Sequence, residues 1–227
     1  MKISQETQTI LKNFASINKG ILLSPGDVLW TRTQSVYATA KIAEEFPKEV
    51  GIFDLANLLN VMSLFNDPEF EFEDNGLRIS ESDGRAETMY GYAGGSLVTL
   101  KRPEKMKPIP DGAISFNLPE EQWTKLQKAT SIFQKPEIKI VSNGKVVRMG
   151  TANHKHEQGN SFSMVLDAEP NGVKCSMVYD KEHLPLLKGN YSGIITPTYT
   201  VLKNTSGFDL TYYIGVEPNT SSFGDDD

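Results

Sequence analysis

Leu64-Phe65-Asn66-Asp67-Pro68-Glu69 returns 68 residues later as Ile132-Phe133-Gln134-Lys135-Pro136-Glu137. Each copy leads into an alternating stretch, Phe70/Phe72 in the first and Ile138/Ile140 in the second. Each then reaches an Asn-Gly pair, Asn75-Gly76 or Asn143-Gly144. Apolar residues at every second position describe a half-buried strand, and Asn-Gly is a strong hairpin signal. The two copies therefore read as one unit used twice: an amphipathic helix ends, the chain turns at proline, and a hairpin begins.

Two further stretches extend the pattern. Residues 4 to 17 place Ile10, Leu11, Phe14 and Ile17 on one helical face, followed by Gly20 to Leu23, a Pro25-Gly26-Asp27 turn and Val28-Leu29-Trp30. A shorter version follows Asp180, where Leu184, Leu186 and Leu187 precede Gly189-Asn190 and then Tyr191 to Ile195 and Tyr199 to Leu202. Four modules result, two on each side of Lys101-Arg102-Pro103-Glu104-Lys105-Met106-Lys107-Pro108-Ile109-Pro110. The three prolines of that segment withhold backbone donors and favour an extended connector. The expected organisation is a first domain over 1–102, a connector over 103–112 and a second domain over 113–227. Each domain can bury roughly 60 to 70% of its unfolded surface. The fold class is α+β, two similar domains with helices on one face of antiparallel sheets.

Composition sets limits on function. The chain of 227 residues is 38% hydrophobic and 23% charged, and no apolar run is long enough to span a bilayer. The opening Met1-Lys2-Ile3-Ser4-Gln5-Glu6 lacks the apolar core of a secretory signal, so a cytoplasmic location is expected. Cys175 is the single cysteine and falls in a strand pattern, as a structural thiol. No phosphate-binding glycine loop, Cys-x-x-Cys pair, Gly-x-Ser-x-Gly elbow or His-Glu-x-x-His motif occurs. His154-Lys155-His156-Glu157 offers alternate histidines, but Lys155 adds a repelling charge and the run lies in a polar loop. Glu69, Glu71 and Glu73 alternate with phenylalanines as the wet side of a strand. No cofactor, metal site or catalytic residue is expected.

The helices carry more information on their polar faces. In residues 119 to 133, Pro119 suits a helix start and Glu120 and Glu121 favour its positive end. Trp123, Leu126, Ala129, Thr130 and Phe133 share one face. Thr124, Lys128, Ser131 and Lys135 lie opposite, with Lys125 on the flank. In the first helix Gln5, Thr9, Lys12, Ser16 and Lys19 oppose the apolar stripe, whereas the second helix shows Asn57, Asn60 and Leu64 outward and no basic residue. With 23 basic against 29 acidic residues the formal charge is −6, so general binding to phosphates is excluded and only local charge sorting could bring nucleic acid to one surface. On residues alone the chain is a two-domain scaffold. A β-rich oligomeric structural or assembly protein stays open, as does an enzyme using His154, His156 or His183.

Several segments resemble the sliding clamps of T-even-type bacteriophages, the processivity factors of the phage replicative polymerase. They are Ile10 to Asn18, Ile52-Phe53-Asp54-Leu55 through Ser63-Leu64, Lys107-Pro108-Ile109-Pro110 and Gly189-Asn190-Tyr191. The resemblance spans essentially the whole chain in order and spacing, and is weakest over about residues 142 to 180. It implies a pseudo-sixfold ring of three subunits, with helices lining a hole around duplex DNA and sheets outside. Lys12, Lys19, Lys125, Lys128 and Lys135 would then face DNA. A strand near 85 to 92 would pair with one near 161 to 168 of the next subunit, with Tyr90, Tyr92, Phe162 and Met164 as apolar contributors. Met106, Ile109, Pro110, Val216 and Pro218 would form a pocket for partner peptides. The implied partners are duplex DNA without sequence preference, two more copies of the chain, the phage DNA polymerase, a clamp loader and phage late-transcription proteins. The implied setting is the cytoplasm of an infected bacterium, and Asp225-Asp226-Asp227 would form a solvated tail.

Overall fold

The computed structural model describes residues 1–93, 102–103, 108–156 and 159–224. The chain groups into two compact units, Met1–Thr33 with Tyr37–Glu104, and Gln34–Val36 with Lys105–Asp227.

The first unit runs α1 (Gln5–Ile17), β1 (Ile21–Leu23), β2 (Gly26–Arg32), β3 (Val36–Phe46), β4 (Val50–Ile52), α2 (Leu55–Met62), β5 (Glu69–Phe72), β6 (Gly76–Ser80) and β7 (Glu87–Gly91). All its pairings are antiparallel: β1 with β4, β2 with β3, and β5-β6-β7 in that order. β7 therefore ends its sheet. Helix α1 starts where the Ser4 hydroxyl accepts the Thr7 N–H at 3.1 Å, and α2 where the Asp54 carboxylate accepts the Asn57 N–H at 2.9 Å. Beneath them Ile10, Phe14, Ile21, Ile52 and Ile79 are fully buried.

The second unit runs β8 (Ile114–Leu118), α3 (Glu120–Ile132), β9 (Glu137–Asn143), β10 (Val147–Ala152), β11 (Ser163–Val165), β12 (Asp167–Glu169), β13 (Lys174–Asp180), β14 (Tyr191–Ile195), β15 (Tyr199–Asn204), β16 (Leu210–Gly215) and β17 (Ser222–Phe223). One sheet has the order β11-β10-β9-β13-β17 and a second set the order β12-β8-β14-β15-β16. Ile138, Ile140, Met149 and Tyr179 of the first and Phe116, Leu118 and Leu202 of the second meet Trp123 of α3. Close approach is needed at Gly193, where an added Cβ would lie 2.2 Å from the Phe116 ring. Cys175 is buried, which pushes its thiol pKa up.

The α+β architecture and antiparallel sheets agree with the sequence pattern, and local details differ from it. Pro119 is the residue before α3 rather than its first helical residue, and the Asn190 side chain supplies the cap by accepting the Glu120 N–H at 2.9 Å. The fourth module keeps its hairpin β14-β15, but its helix shrinks to one 3₁₀ turn, Lys181–His183. Pro185 lacks the donor needed to continue it, and Leu184 and Leu186 fill the core beside Trp123 from the irregular segment that follows. The Asp225-Asp226-Asp227 tail lies outside the described residues.

Glu44 of β3 fastens the start of α1, accepting the Thr7 hydroxyl at 2.5 Å and the Ser4 N–H. Burial alone would raise its pKa, but the bonds from Thr7 and Ser4 outweigh burial and hold it below the ordinary 4.5. A carboxylate with a depressed folded-state pKa contributes stability above its unfolded value and loses it as pH falls through the folded value. Glu44→Gln is expected to cost about 1 kcal/mol at neutral pH, a figure reduced for solvent screening at this half-buried site. The deficit should vanish as pH falls through the folded-state value in melting curves taken over the acid range; a deficit independent of pH would remove the charge from the account.

Candidate nucleic-acid interface

The outward faces of the helices are polar and sparsely charged. On α1, burial of Ile10, Leu11 and Phe14 turns Gln5, Lys12 and Ser16 to solvent, and Thr9 bonds back to the Gln5 carbonyl at 2.7 Å. On α2, burial of Leu55, Leu58 and Met62 exposes Ala56, Asn57 and Asn60. A groove of about 860 Å³ lies in this unit, lined among others by Gln5, Gln8, Lys12, Ala56, Asn60 and Ser63. Amides, hydroxyls and one helix lysine thus share an opening with apolar Leu59, Met62 and Phe65 and with Lys2, Glu44 and Asp67.

The lysines named from sequence have different surroundings. Lys12 is exposed and has no ion-pair partner among the described residues. Lys19 is exposed but tied to the start of α2, 3.3 Å from the Asp54 carboxylate and 4.8 Å from the Phe53 ring centroid. The Asn57 N–H, and then Lys19, lower the Asp54 pKa. On α3, Lys125 pairs with Glu121 one turn earlier at 2.6 Å, while Lys128 is exposed without an ion-pair partner among the described residues.

Lys135 departs from the expectation. It is 9% exposed and its ammonium reaches the His156 carbonyl at 3.4 Å. The cause is the turn after α3, where Gln134 takes a left-handed conformation (φ 52°) and directs the next residue under the following loop. In the first copy of the repeat the left-handed residue is Asp67 (φ 51°), the counterpart of Lys135 itself. The repeat therefore holds in sequence while its turn is shifted by one residue. Ile132, 74% exposed, and its counterpart Leu64, 76% exposed, keep equivalent environments.

The two strands expected at subunit junctions both end sheets, β7 beyond β6 and β11 beyond β10. Their named side chains are half-buried. The Tyr90 hydroxyl donates to the Asp54 carbonyl at 3.0 Å, and the Lys48 ammonium lies 5.6 Å from the Tyr92 ring centroid. Phe162 is held by main-chain and hydroxyl bonds to Thr151, and Met164 is opposite Met149. The apolar groups most exposed on these edges are others, Met89 at 47% and Val165 at 49%. Strand parity could have found them: Met89 alternates with the inward Tyr90, and Val165 with Met164.

Around the connector, Met106 lies outside the described residues. Ile109 is 50% exposed, Pro110 and Pro218 are exposed and Val216 is half-buried. The Tyr199 hydroxyl donates to the Pro108 carbonyl at 3.4 Å, and the Val216 N–H to the Thr198 carbonyl at 3.3 Å, so both segments are anchored around β15.

The histidines hold structure. His154 contacts Glu137, which is 7% exposed and also accepts the His154 N–H at 2.8 Å. The His156 N–H donates to Asn153, and His183 lies 3.8 Å from the Glu217 carboxylate. Among the described residues no three His, Cys, Asp or Glu side chains converge as metal ligands, and no helix is long and apolar enough to cross a membrane.

Residues 4–88 match the family described as DNA polymerase processivity factor. The chain is 32% identical over 191 residues to the sliding clamp of Enterobacteria phage T4, covering 81% of this chain and 77% of that one. It is 30% identical over 198 residues to the sliding clamp of Escherichia phage RB69, covering 84% and 85%. In fold it is similar to the proliferating cellular nuclear antigen of Entamoeba histolytica, with a TM-score of 0.66 at 13% identity over 93% of this chain and 95% of that one. It is similar also to the Helicobacter pylori β clamp bound to a DNA ligase peptide, with a TM-score of 0.64 at 12% identity over 93% and 64%. The chain belongs to the sliding-clamp family of DNA polymerase processivity factors, in its T-even-type phage branch, and is not an enzyme.

Proposed function

We propose that three copies of this chain close into a ring around duplex DNA and tether the phage replicative polymerase, with helices α1, α2 and α3 turned toward the DNA. The observation that carries this reading is the composition of the helix faces. They present amides, hydroxyls and a few lysines in a chain of net charge −6. A clamp must keep its DNA without gripping it, so a few screened cations and water-bridged contacts to phosphates suit sliding better than a dense basic surface. Lys12 and Lys128 are the primary DNA-facing cations in this reading, Lys19 and Lys125 secondary ones already paired to carboxylates. Lys135 is left out because it is buried. Lys12→Glu with Lys128→Glu should leave melting and assembly intact. Processive run length should shorten by about threefold to tenfold at low salt, with the gap to the parent narrowing as salt rises; unchanged run length across the salt series refutes the assignment.

Ring closure would proceed by edge pairing, β7 of one copy against β11 of the next, with Met89 and Val165 as the apolar contacts beside Tyr90, Tyr92, Phe162 and Met164. Val165→Asp places an unpaired charge in that junction. Mass measurements over a dilution series should find a species near three times 25.2 kDa for the parent chain. The variant should dissociate at concentrations at least about tenfold higher; equal dissociation would move the junction elsewhere.

Polymerase, clamp loader and late-transcription proteins would attach through short peptides beside the connector, on Ile109, Pro110, Val216, Pro218 and Met106. Exposed Ile109 is the natural anchor. The setting would be the cytoplasm of the infected bacterium. Ile109→Asp should weaken capture of the polymerase C-terminal peptide by about tenfold while the ring still assembles; full affinity in the folded variant would place the pocket elsewhere.

A further inference from the structure

The five-stranded sheet of the second unit has two unlike faces. Ile138, Ile140, Met149 and Tyr179 point toward Trp123 and α3. Strand alternation sends Lys139, Val141 and Asn143 of β9, Arg148 of β10, Lys174 and Ser176 of β13 and Val165 of β11 to the other side. Register places them in rows: Val165, Arg148, Val141 and Ser176 are cross-strand neighbours, with Lys139 two residues along β9 and Lys174 two along β13.

This face is basic in an acidic chain. Val141, Arg148 and Lys174 are exposed, Val146 and Lys145 of the adjoining turn are exposed with them, and Val165 at the sheet edge belongs to the subunit junction proposed above. Lys139, Lys145 and Arg148 have no ion-pair partner among the described residues. The two carboxylates with the same parity, Glu137 and Asp180, sit together at one end of the face, and both are occupied. Glu137 holds His154 and Asp180 accepts the Glu182 N–H at 2.8 Å. Asp167 and Glu169 of β12 are bonded to Asn117 and Ser115 of the other strand set. Lys139, Lys145 and Arg148 therefore lie around exposed Val141 and Val146, and the carboxylate nearest Lys139 on this face, Glu137, is already taken by His154.

We infer that this face, centred on Val141 and Arg148, docks an acidic segment of a partner protein that also carries aliphatic side chains. Charge complementarity selects the acidic partner, since uncompensated cations attract carboxylates and repel basic sequences. The interleaved valines select protein over nucleic acid. They offer burial to leucine or isoleucine, whereas single strands require aromatic platforms and this face has none among its described residues. The surface lies on the opposite side of the sheet from α3, and its edge at Val165 adjoins the subunit junction proposed above.

The test uses the full-length chain alone and a fluorescein-labelled peptide of repeated Glu-Glu-Leu-Leu, read by anisotropy. The parent should bind it. Lys139→Glu with Arg148→Glu should bind at least about tenfold more weakly, the loss expected from reversing two contacting charges. Lys188→Glu with Lys203→Glu, which imposes the same change in net charge on exposed residues outside this sheet, should bind as the parent does. Val141→Ser should weaken the peptide of Glu-Glu-Leu-Leu but not one of Glu-Glu-Ser-Ser. Equal losses in the two charge-reversed proteins, with melting unchanged, overturn the proposal, because net charge rather than this face would govern binding. A duplex or single-stranded oligonucleotide that binds through Lys139 and Arg148 while the peptide does not would give the face to nucleic acid instead. Peptide binding seen only after removal of Asp225-Asp226-Asp227 would give it to the chain's own terminus.

Discussion

Each long helix must bury one stripe against a sheet, and the rest of the molecule follows from that constraint. Phe14 on α1 and Leu126 on α3 are completely enclosed, and burying an apolar side chain of this size contributes about 1.5 to 3 kcal/mol. A helix fixed this way has no freedom in which residues it shows to solvent. Lys12 and Lys128 are outward because Leu11 and Leu126 are inward. The polar surface is thus a by-product of the core, and a change in the stripe would rotate that face with it.

Much of this was legible because it depends on periodicity. The helix stripes, the proline turns and the hairpins after Pro68 and Pro136 all follow from spacings of two and of three to four residues. Family membership was legible from the order of otherwise ordinary segments. What escaped depends on single backbone torsions and on contacts distant in sequence. Lys135 lies where a helix projection puts it outward, yet the left-handed Gln134 turns it into the His156 loop. Pro119 suits a helix start, but the cap arrives from Asn190, 70 residues from the Glu120 N–H that it accepts. The resemblance points to Tyr90 and Tyr92, while strand alternation leaves Met89 as the exposed apolar side chain there.

The distribution of charge separates two tasks that a ring-forming protein must perform at once. Many of the lysines and arginines are matched locally: Arg78 with Glu73 and Glu87, Lys41 with Asp27, Lys125 with Glu121, and Lys19 with Asp54. Exposed pairs of this kind contribute little to stability, about 0 to 1 kcal/mol each, so their main effect is to mute the field. Where the helices are concerned, muting is useful, because every uncompensated cation added to a surface around DNA raises the salt-sensitive affinity that opposes sliding.

The same logic gives weight to the places where muting fails. Among the described residues Lys12 and Lys128 have no ion-pair partner on helices, one in each unit, whereas Lys139 and Arg148 have none on one sheet, with Lys145 likewise in the turn beside them. Isolated cations that share a phosphate lattice with water exert a weak, diffuse attraction, which suits a contact that must be broken at every step. Clustered cations next to exposed valines exert a local one, reinforced by burial that salt does not screen. The difference in grouping, rather than in number, is what distinguishes a surface built for passage from one built for attachment.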